Sequence, residues 1–418
     1  MYSKTVFDNG VRIISQKIEH VKSVALGIWI NTGSRDEEQQ KNGISHFIEH
    51  MIFKGTSNRT SLQIAKELDA IGGLSNAFTG KENTCFYTKV LGKHLTLAAD
   101  LLTDIFFNAT FTPEDIDMER LVILQEINML EDTPDDNIHE LFHNHVWAGH
   151  PIGMSVLGSE KLVSAIQRNN ILHYINNHYT PENIVIAACG DVKHQEMVSL
   201  FQPFFDRLEK KQSHSIRTPP VFLPVIKHHY KDLEQIHLCL GGESPSHKDP
   251  ARFACTILNT ILGGSMSSHL FQEIRENRGL AYSVFSFLSS YVDTGIMGIY
   301  VAMDPENLTS GLEIISSEIK KIIKGQLTEQ ELKATKEHLI GGIYLAIENT
   351  SNIMMRIAKN ELVFQRYIPI DELISNIEKV TIDEVIEETK NIFQKDLSLI
   401  TLGPLPKNEI DKQYLKFK

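Results

Sequence analysis

The sequence predicts an α+β protein composed of two similar halves. Strand-like and helical patterns are mixed along the chain without a strict β-α-β alternation, which favours the α+β class. Two helical segments also match at a constant offset of 216 residues: "FTPEDIDMERLVILQEI" (111–127) and "LTEQELKATKEHLIGGI" (327–343). A polar, proline-containing stretch at 210–222 separates the halves. We therefore expect an N-terminal domain at 1–215 and a C-terminal domain at 216–418.

The strands are predicted by short runs that are apolar throughout or alternate in polarity. These runs include "SVALGIWINTG", "CFYTKVLG", "NIVIAACGDV", "QIHLCLGG" and "MGIYVAMD". Near the N-terminus, "KTVF" and "VRIISQ" flank a turn signal at Asp8-Asn9-Gly10. The segments "SLQIAKELDAIG" and "LTLAADLLTDIFFN" have helical periodicity.

Size and charge limit the function. The chain has 418 residues, of which 42% are hydrophobic, enough for two or three domains with cores of their own. The formal net charge is -12 and is spread along the chain. This charge disfavours nucleic acid as a partner and allows a basic peptide.

The cysteines and the hydropathy pattern indicate a compartment. The four cysteines are far apart and have no metal-binding spacing, so we expect reduced, packed thiols: Cys85, Cys189, Cys239 and Cys255. The N-terminal stretch has no signal-peptide pattern, and no window approaches the roughly 18 apolar residues of a membrane span. We expect a cytoplasmic, bacterial protein.

The segment "GISHFIEHMIFKG" predicts a helix with two different faces. Its apolar residues form one stripe, and the opposite face carries His46, Glu49 and His50. Two histidines four residues apart can bind one metal ion, and a catalytic zinc needs three protein ligands. The alternative interpretation is an ordinary polar helix face.

The best source of a third ligand is "DIDMERLVILQEINML". Glu119 and Glu126 are seven residues apart and therefore share one helical face. Leu121 and Leu124 extend the apolar character almost around the helix, which predicts that it is buried. A buried carboxylate needs a cation or a proton, and zinc or a zinc-bound imidazole would serve. The alternative is an ion pair with arginine or lysine in the core.

A second string, "HELFH" (139–143), has the common zinc-protease spelling. It lacks a convincing third ligand, because Val146 and Gly149 stand where the longer motif needs glycine and histidine. Glu160 is the nearest downstream acid and fits loosely. We therefore favour the inverted string "HFIEH" as the metal site.

These residues together resemble the pitrilysin family of inverted-motif zinc peptidases, especially its processing peptidases. The resemblance covers nearly the whole chain and includes "GISHFIEHMIFKGT", "AIGGLSNAFTGKENTCFY" and "MERLVILQEINMLEDTPDD". It implies one Zn²⁺ per chain, bound by His46, His50 and Glu126. Glu49 would be the general base, and Glu119 would orient a ligand histidine.

The family fold implies two similar domains, each a mainly antiparallel sheet packed with helices. Together they would form half of a clam-shell chamber, so a homodimer is implied. The second half would bind no metal. When the two repeats are aligned, three polar residues of the first half have no equivalent in the second. Asn259, Thr335 and Gly342 stand in the places of His50, Glu119 and Glu126.

The resemblance implies further site residues. Arg275 and Tyr282 match an element that donates hydrogen bonds to the substrate or to the oxyanion. The local alternative pairs Arg275 with Glu273 or Glu276 and leaves Tyr282 simply packed.

Substrate contacts are also implied. Asn76 and Ala77 match an edge strand to which an extended peptide adds. Asp136 and Glu140 match acidic positions that recognise a substrate arginine. The alternatives are an ordinary surface hairpin and an acidic helix start that suits the helix dipole.

We therefore predict a zinc endopeptidase that cleaves extended or presequence-like peptides, with some preference for basic residues. The alternative is a non-catalytic or partner-dependent subunit of the same fold. A protease that uses the "HELFH" histidines is the third hypothesis.

Overall fold

A computed structural model of the chain describes residues 1–211 and 217–405. The strands, in chain order, are β1 (Tyr2–Val6), β2 (Arg12–Lys17), β3 (Ser23–Ile30), β4 (Leu74–Thr79), β5 (Thr84–Leu91), β6 (Ile184–Gly190), β7 (Ile226–His229), β8 (Ile236–Glu243), β9 (Ala281–Ser290), β10 (Gly295–Met303) and β11 (Ser398–Leu402). The strand-like runs of the sequence correspond to β1, β2, β3, β5, β6, β8 and β10.

The helices lie between these strands. In chain order the α-helices are α1 (Ile44–Met51), α2 (Ser61–Ala70), α3 (Leu95–Asn108), α4 (Pro113–Asp132), α5 (Pro134–Val146), α6 (Glu160–Ala165), α7 (Arg168–His178), α8 (His194–Phe205), α9 (Arg252–Leu262), α10 (Leu308–Ile323), α11 (Glu329–Ala346), α12 (Thr350–Phe364), α13 (Ile370–Lys379) and α14 (Ile382–Phe393). A short π-helix, Phe271–Glu276, follows α9.

The two sheets have the same topology. Within the described residues, the first sheet has the strand order β1-β2-β6-β3-β5-β4 and the second has β7-β11-β8-β10-β9. Apart from the additional β1, the orders correspond strand by strand. The pairs β2–β6 and β7–β11 are parallel, and the other pairs are antiparallel. The predicted α+β class with two similar, mainly antiparallel sheets is confirmed.

The described residues form two compact units. The first unit comprises Met1–Met129, Met154–Thr218 and Leu345–Ile368, and the second comprises the other described residues. Leu130–Gly153 therefore belongs to the second unit, although it precedes residue 215. The boundary between the predicted domains at 1–215 and 216–418 lies outside the described residues, and that division stays a prediction.

The first sheet is covered on both faces, which explains why its central strands are buried. One face packs on α1, α3 and α8 through a core that includes Ile28, Phe47 and Phe201. The other face packs on α12, where Trp29 Nε1 lies 3.3 Å from Met354 Sδ. Because the apolar side of α1 packs on this sheet, the core fixes the position of the helix.

The second sheet is built in the same way. One face packs on α9 and α14 through Leu240, Leu258 and Phe393. The other face packs on α5, with Phe142 and Tyr300 in the shared cluster. The helices α5 and α12 begin at residues 134 and 350, which keeps the 216-residue offset of the repeat. Each repeat therefore supplies the helix that covers the sheet of the other repeat.

Two further expectations concern the cysteines and membrane-spanning segments. All four cysteines are buried and unpaired, as predicted. None of the described helices combines the length and the apolar character needed to cross a membrane.

The start of α1 is held by a buried carboxylate from outside the helix. Gly43 occupies the N-cap with φ +96° and has no side chain with which to cap the helix, and a Cβ there would lie 2.7 Å from the Leu157 carbonyl oxygen. Glu37 takes over this role. Its Oε1 accepts from the Ser45 backbone N–H at 2.8 Å. Its Oε2 accepts at 2.8 Å from Gly43 N–H and from the Asn42 side chain.

This polar cluster continues into the neighbouring elements. The Ser45 hydroxyl donates to the Tyr174 hydroxyl at 2.8 Å, which in turn lies 3.0 Å from Thr32 Oγ1. Burial raises the pKa of Glu37 to about 7, although the hydrogen bonds from Ser45, Gly43 and Asn42 oppose that rise. The cluster ties the first turn of α1 to α7 and to the end of β3.

We predict that Glu37→Ala lowers the free energy of unfolding by about 2–4 kcal/mol, because it leaves the buried N–H groups of Gly43 and Ser45 without an acceptor. The measurement is thermal or urea unfolding of the full chain followed by circular dichroism. Glu38→Ala is the control, since Glu38 makes only an exposed pair with Lys41 and its loss costs at most about 0.5 kcal/mol. Equal effects of the two variants would contradict the capping role.

Candidate metal centre

Helix α1 carries His46, Glu49 and His50 on the side opposite its apolar stripe. Its apolar side, which includes Phe47, Ile48 and Met51, is buried in the core of the first unit. The helical spacing of the sequence therefore predicts the correct faces. His46 is nevertheless only 6% exposed, because α4 covers the polar side.

Helix α4 places two carboxylates against that side. Ile116, Glu119, Ile123 and Ile127 form its buried face. The prediction that the helix is buried almost all round is wrong, because Leu121 is 61% exposed. Apolar residues on the outer face of a helix do not by themselves require burial.

His46, His50 and Glu126 converge on one point. Glu126 Oε2 lies 3.6 Å from His46 Nε2 and 3.5 Å from His50 Nε2. The three potential ligand atoms all lie within 4.8 Å of one another. Among the residues described by the structure, this is the one group of three or more histidine, cysteine, aspartate or glutamate side chains arranged to hold a metal ion.

This donor set fits zinc. Two imidazole nitrogens and one carboxylate oxygen are a known ligand combination of catalytic zinc sites. Tetrahedral ligands about 2.0–2.1 Å from zinc are about 3.3 Å apart, close to the separations observed here. Three protein ligands would leave a fourth position for water or substrate.

Glu119 fixes the orientation of the second histidine. Its Oε1 lies 2.7 Å from His50 Nδ1, and the Glu119 side chain is only 5% exposed. Because a carboxylate accepts hydrogen bonds, the Nδ1–H of His50 is the donor, and Nε2 is the ring nitrogen that faces Glu126. A carboxylate partner of this kind is the usual support of a histidine that binds a metal.

Burial also shifts the pKa values of His46 and Glu49. It lowers the pKa of His46 to about 4, and the neighbouring His50 acts in the same direction. His46 is therefore neutral near pH 7, the form that binds metals. Burial raises the pKa of Glu49, and hydrogen bonds from Thr79 oppose this rise.

Glu49 lies beside a cavity of about 350 Å³. Its Oε2 is buried and has no hydrogen-bond partner within residues 1–211 and 217–405. The cavity is lined by Glu49, His50, Phe53, Ser61, Ile64, Ala65, Leu68, Ser75, Asn76 and Ala77. Asn76 and Ala77 belong to β4, which is the edge strand of the first sheet. The structure therefore brings both residues to the same cavity as Glu49.

The other predicted site residues lie in the second unit. The Arg275 Nη1–H donates to the Tyr282 carbonyl oxygen at 3.2 Å, and the guanidinium lies 4.5 Å from the Tyr282 ring centroid. Tyr282 is 79% exposed, so it is not simply packed. Arg275 also lies 3.6 Å from Glu276, and Glu273 contacts Arg278 instead. The catalytic role of the pair stays a prediction.

Helix α5 carries Asp136 and Glu140. Asp136 is exposed, and Glu140 is partly buried. Their role in substrate recognition stays a prediction.

The "HELFH" histidines serve as packing groups. The His139 ring stacks 5.9 Å from the Phe285 ring and lies edge-on to Phe287, and burial lowers its pKa. His143 Nδ1 lies 2.8 Å from the His139 carbonyl oxygen, one helical turn back. No cluster of metal ligands forms around this string in the part of the chain that the structure describes.

Three residues that hold the site were not predicted from the sequence. Lys54 contacts Glu119, but it lies beyond Met51, the last residue of α1, so helical spacing gives no signal for this pair. Glu37 holds the start of α1, and Thr79 acts on Glu49. Thr79 could not be found from spacing, since it reaches Glu49 only through the folding of β4 beside α1.

Comparison with known families identifies the family of the chain. Residues 12–160 match the family described as insulinase (peptidase family M16), and residues 165–339 match the peptidase M16 inactive domain. The two matches together cover most of the chain.

Two bacterial relatives match over nearly their whole length. An uncharacterized zinc protease of Bacillus subtilis is 37% identical over 404 residues, which cover 97% of this chain and 98% of the relative. An uncharacterized zinc protease of Mycobacterium leprae is 37% identical over 406 residues, which cover 96% and 91%.

Two solved structures have the same fold. A protease of Helicobacter pylori superposes with a TM-score of 0.89 at 22% identity, covering 97% of this chain and 99% of that one. A Pseudomonas fluorescens protein, described as a peptidase M16 inactive domain, superposes with a TM-score of 0.90 at 18% identity, covering 98% and 99%. The resemblance to the pitrilysin family is thereby confirmed, and the chain belongs to peptidase family M16.

Proposed function

We propose that this protein is a zinc-dependent endopeptidase whose metal is held by His46, His50 and Glu126. The observation that carries the proposal is the convergence of these three side chains, with His50 oriented by Glu119. Relatives described as zinc proteases support the same metal.

A zinc ion in this site would supply Lewis-acid chemistry by polarising the scissile carbonyl and activating water. Glu49 would accept the proton of the attacking water and pass it to the leaving amide nitrogen. Its raised pKa suits both steps, because a general acid–base works best when its pKa lies near the working pH. The unpartnered Oε2 is the atom available for this proton.

The substrate would bind as an additional strand along β4. The outer edge of β4 has no strand partner within the described residues, so its backbone groups can pair with an extended peptide. Asn76 and Ala77 would contact this peptide, and the adjacent cavity would take one of its side chains. The apolar residues Phe53, Ile64 and Leu68 in the lining favour an apolar or aromatic side chain there.

The family resemblance extends the proposal to four residues of the second unit. Arg275 and Tyr282 would donate hydrogen bonds to the substrate or to the developing oxyanion. Asp136 and Glu140 would attract a positive charge on the substrate, which would produce a preference for basic residues. Two copies of the chain would associate as a homodimer.

A non-catalytic or partner-dependent subunit is the second candidate. The name of the Pseudomonas fluorescens structure, which contains the words "inactive domain", favours this alternative. The complete set of His46, Glu49, His50 and Glu126 in this chain favours the enzyme. Peptide cleavage by the purified chain alone, with its size measured by gel filtration, separates the two candidates.

We predict that Glu49→Gln retains zinc and lowers kcat for peptide cleavage at least about a hundredfold, because the amide cannot accept the proton. Zinc content by atomic absorption and cleavage of a peptide library are the measurements. Glu38→Gln is the control, since it removes an exposed carboxylate outside the site. Full activity of Glu49→Gln, or wild-type protein without zinc under zinc-replete conditions, would refute the proposal.

We predict that the double variant Asp136→Asn/Glu140→Gln loses the preference for a basic substrate. Two peptides that differ only in arginine or its neutral isostere citrulline should differ in KM about fivefold with wild-type protein, at roughly 0.5 kcal/mol per exposed ion pair. The variant should process both peptides equally. The control Glu131→Gln/Asp132→Asn changes the net charge by the same amount. An unchanged arginine preference would exclude Asp136 and Glu140 from recognition.

A further inference from the structure

We propose that Lys54 is a positioning residue for the metal centre and that it acts through Glu119 on His50. The inference rests on the proposed zinc site. It adds a residue that supports Glu119, which in turn supports the proposed ligand His50. Lys54 follows α1 and lies four residues after His50. Its ammonium group contacts Glu119 Oε2, while Glu119 Oε1 accepts from His50.

The two contacts use different oxygens of one buried carboxylate. The Glu119 side chain is 5% exposed, and it lies on the face of α4 that also carries Ile116 and Ile123. A carboxylate in such a place is unstable unless a cation balances its charge.

When His50 binds a metal, the positive charge on that side of Glu119 would be that of the ion, one imidazole ring away, and not that of His50 itself. A metal-binding imidazole is neutral, so it offers Glu119 a hydrogen bond without a charge of its own. Lys54 is the cationic side chain in contact with Glu119 among the described residues. Lys54 therefore balances and anchors Glu119, and Glu119 in turn holds the His50 ring with Nε2 towards Glu126.

The second unit contains a matching ion pair of its own. Lys321 Nζ contacts Glu318 Oε1 at 2.6 Å, and Glu318 Oε2 lies 3.5 Å from His269 Nδ1. The exposures are also similar, at 5% for both glutamates and at 38% and 45% for Lys54 and Lys321. His269 belongs to no candidate metal cluster in residues 1–211 and 217–405. Lys321 is therefore the matched control for Lys54.

The test compares Lys54→Met, Lys54→Arg and Lys321→Met in the full chain. Zinc affinity is measured at one fixed pH by competition with a chromophoric chelator, and thermal unfolding of the zinc-free protein is followed in parallel. Lys54→Met should weaken zinc binding about tenfold, at the lower end of the loss caused by removing groups that support metal ligands. Lys54→Arg keeps the charge and should stay within about threefold of wild type. Lys321→Met should bind zinc like wild type.

Zinc binding by Lys54→Met within twofold of wild type would overturn the inference and leave the proposed function intact. An equal loss in Lys54→Met and Lys321→Met would also overturn it, since the effect would then be general destabilisation. A loss of zinc affinity in Lys54→Arg as large as that in Lys54→Met would overturn the inference that Lys54 acts by balancing the charge of Glu119. Wild-type protein that binds no zinc would overturn the proposed function together with the inference.

Discussion

The pairing of α1 with α4 is the contact on which the site depends. Two imidazoles on α1 meet two carboxylates on α4, in a layer where His46 and Glu119 are almost completely buried. Burying polar groups costs free energy, and the contact between His50 and Glu119 offsets part of this cost. Phe47 and Ile123, on the apolar sides of the two helices, anchor both in the core of the first unit. Packing therefore sets the distance between the helices, and that distance sets the ligand geometry.

Much of this pairing could be predicted from the sequence, because it depends on helical periodicity. A spacing of four places His46 and His50 one turn apart, and a spacing of seven places Glu119 and Glu126 on one face of α4. The structure brings all four side chains together. The sequence also allowed two partners for Glu119, a histidine at the metal site or a basic residue. The structure contains both, because each carboxylate oxygen takes one of them.

Other features could not be predicted, because periodicity does not specify a partner. The helices α5 and α12 occupy equivalent places in the two repeats, yet nothing in the sequence pattern tells which sheet each will cover. The structure packs α5 on the second sheet and α12 on the first. The same limit applies to Thr79, whose contact with Glu49 depends on the folding of β4 beside α1. Predictions based on chain order therefore miss long-range contacts of this kind.

The choice between the inverted motif and "HELFH" as the zinc site can be decided by locating the metal itself. Anomalous X-ray scattering would be recorded from crystals of the purified, zinc-loaded protein on both sides of the zinc absorption edge. We predict one strong peak per chain, bounded by His46, His50 and Glu126. A peak beside His139 and His143, or no peak at the α1–α4 layer, would contradict this assignment.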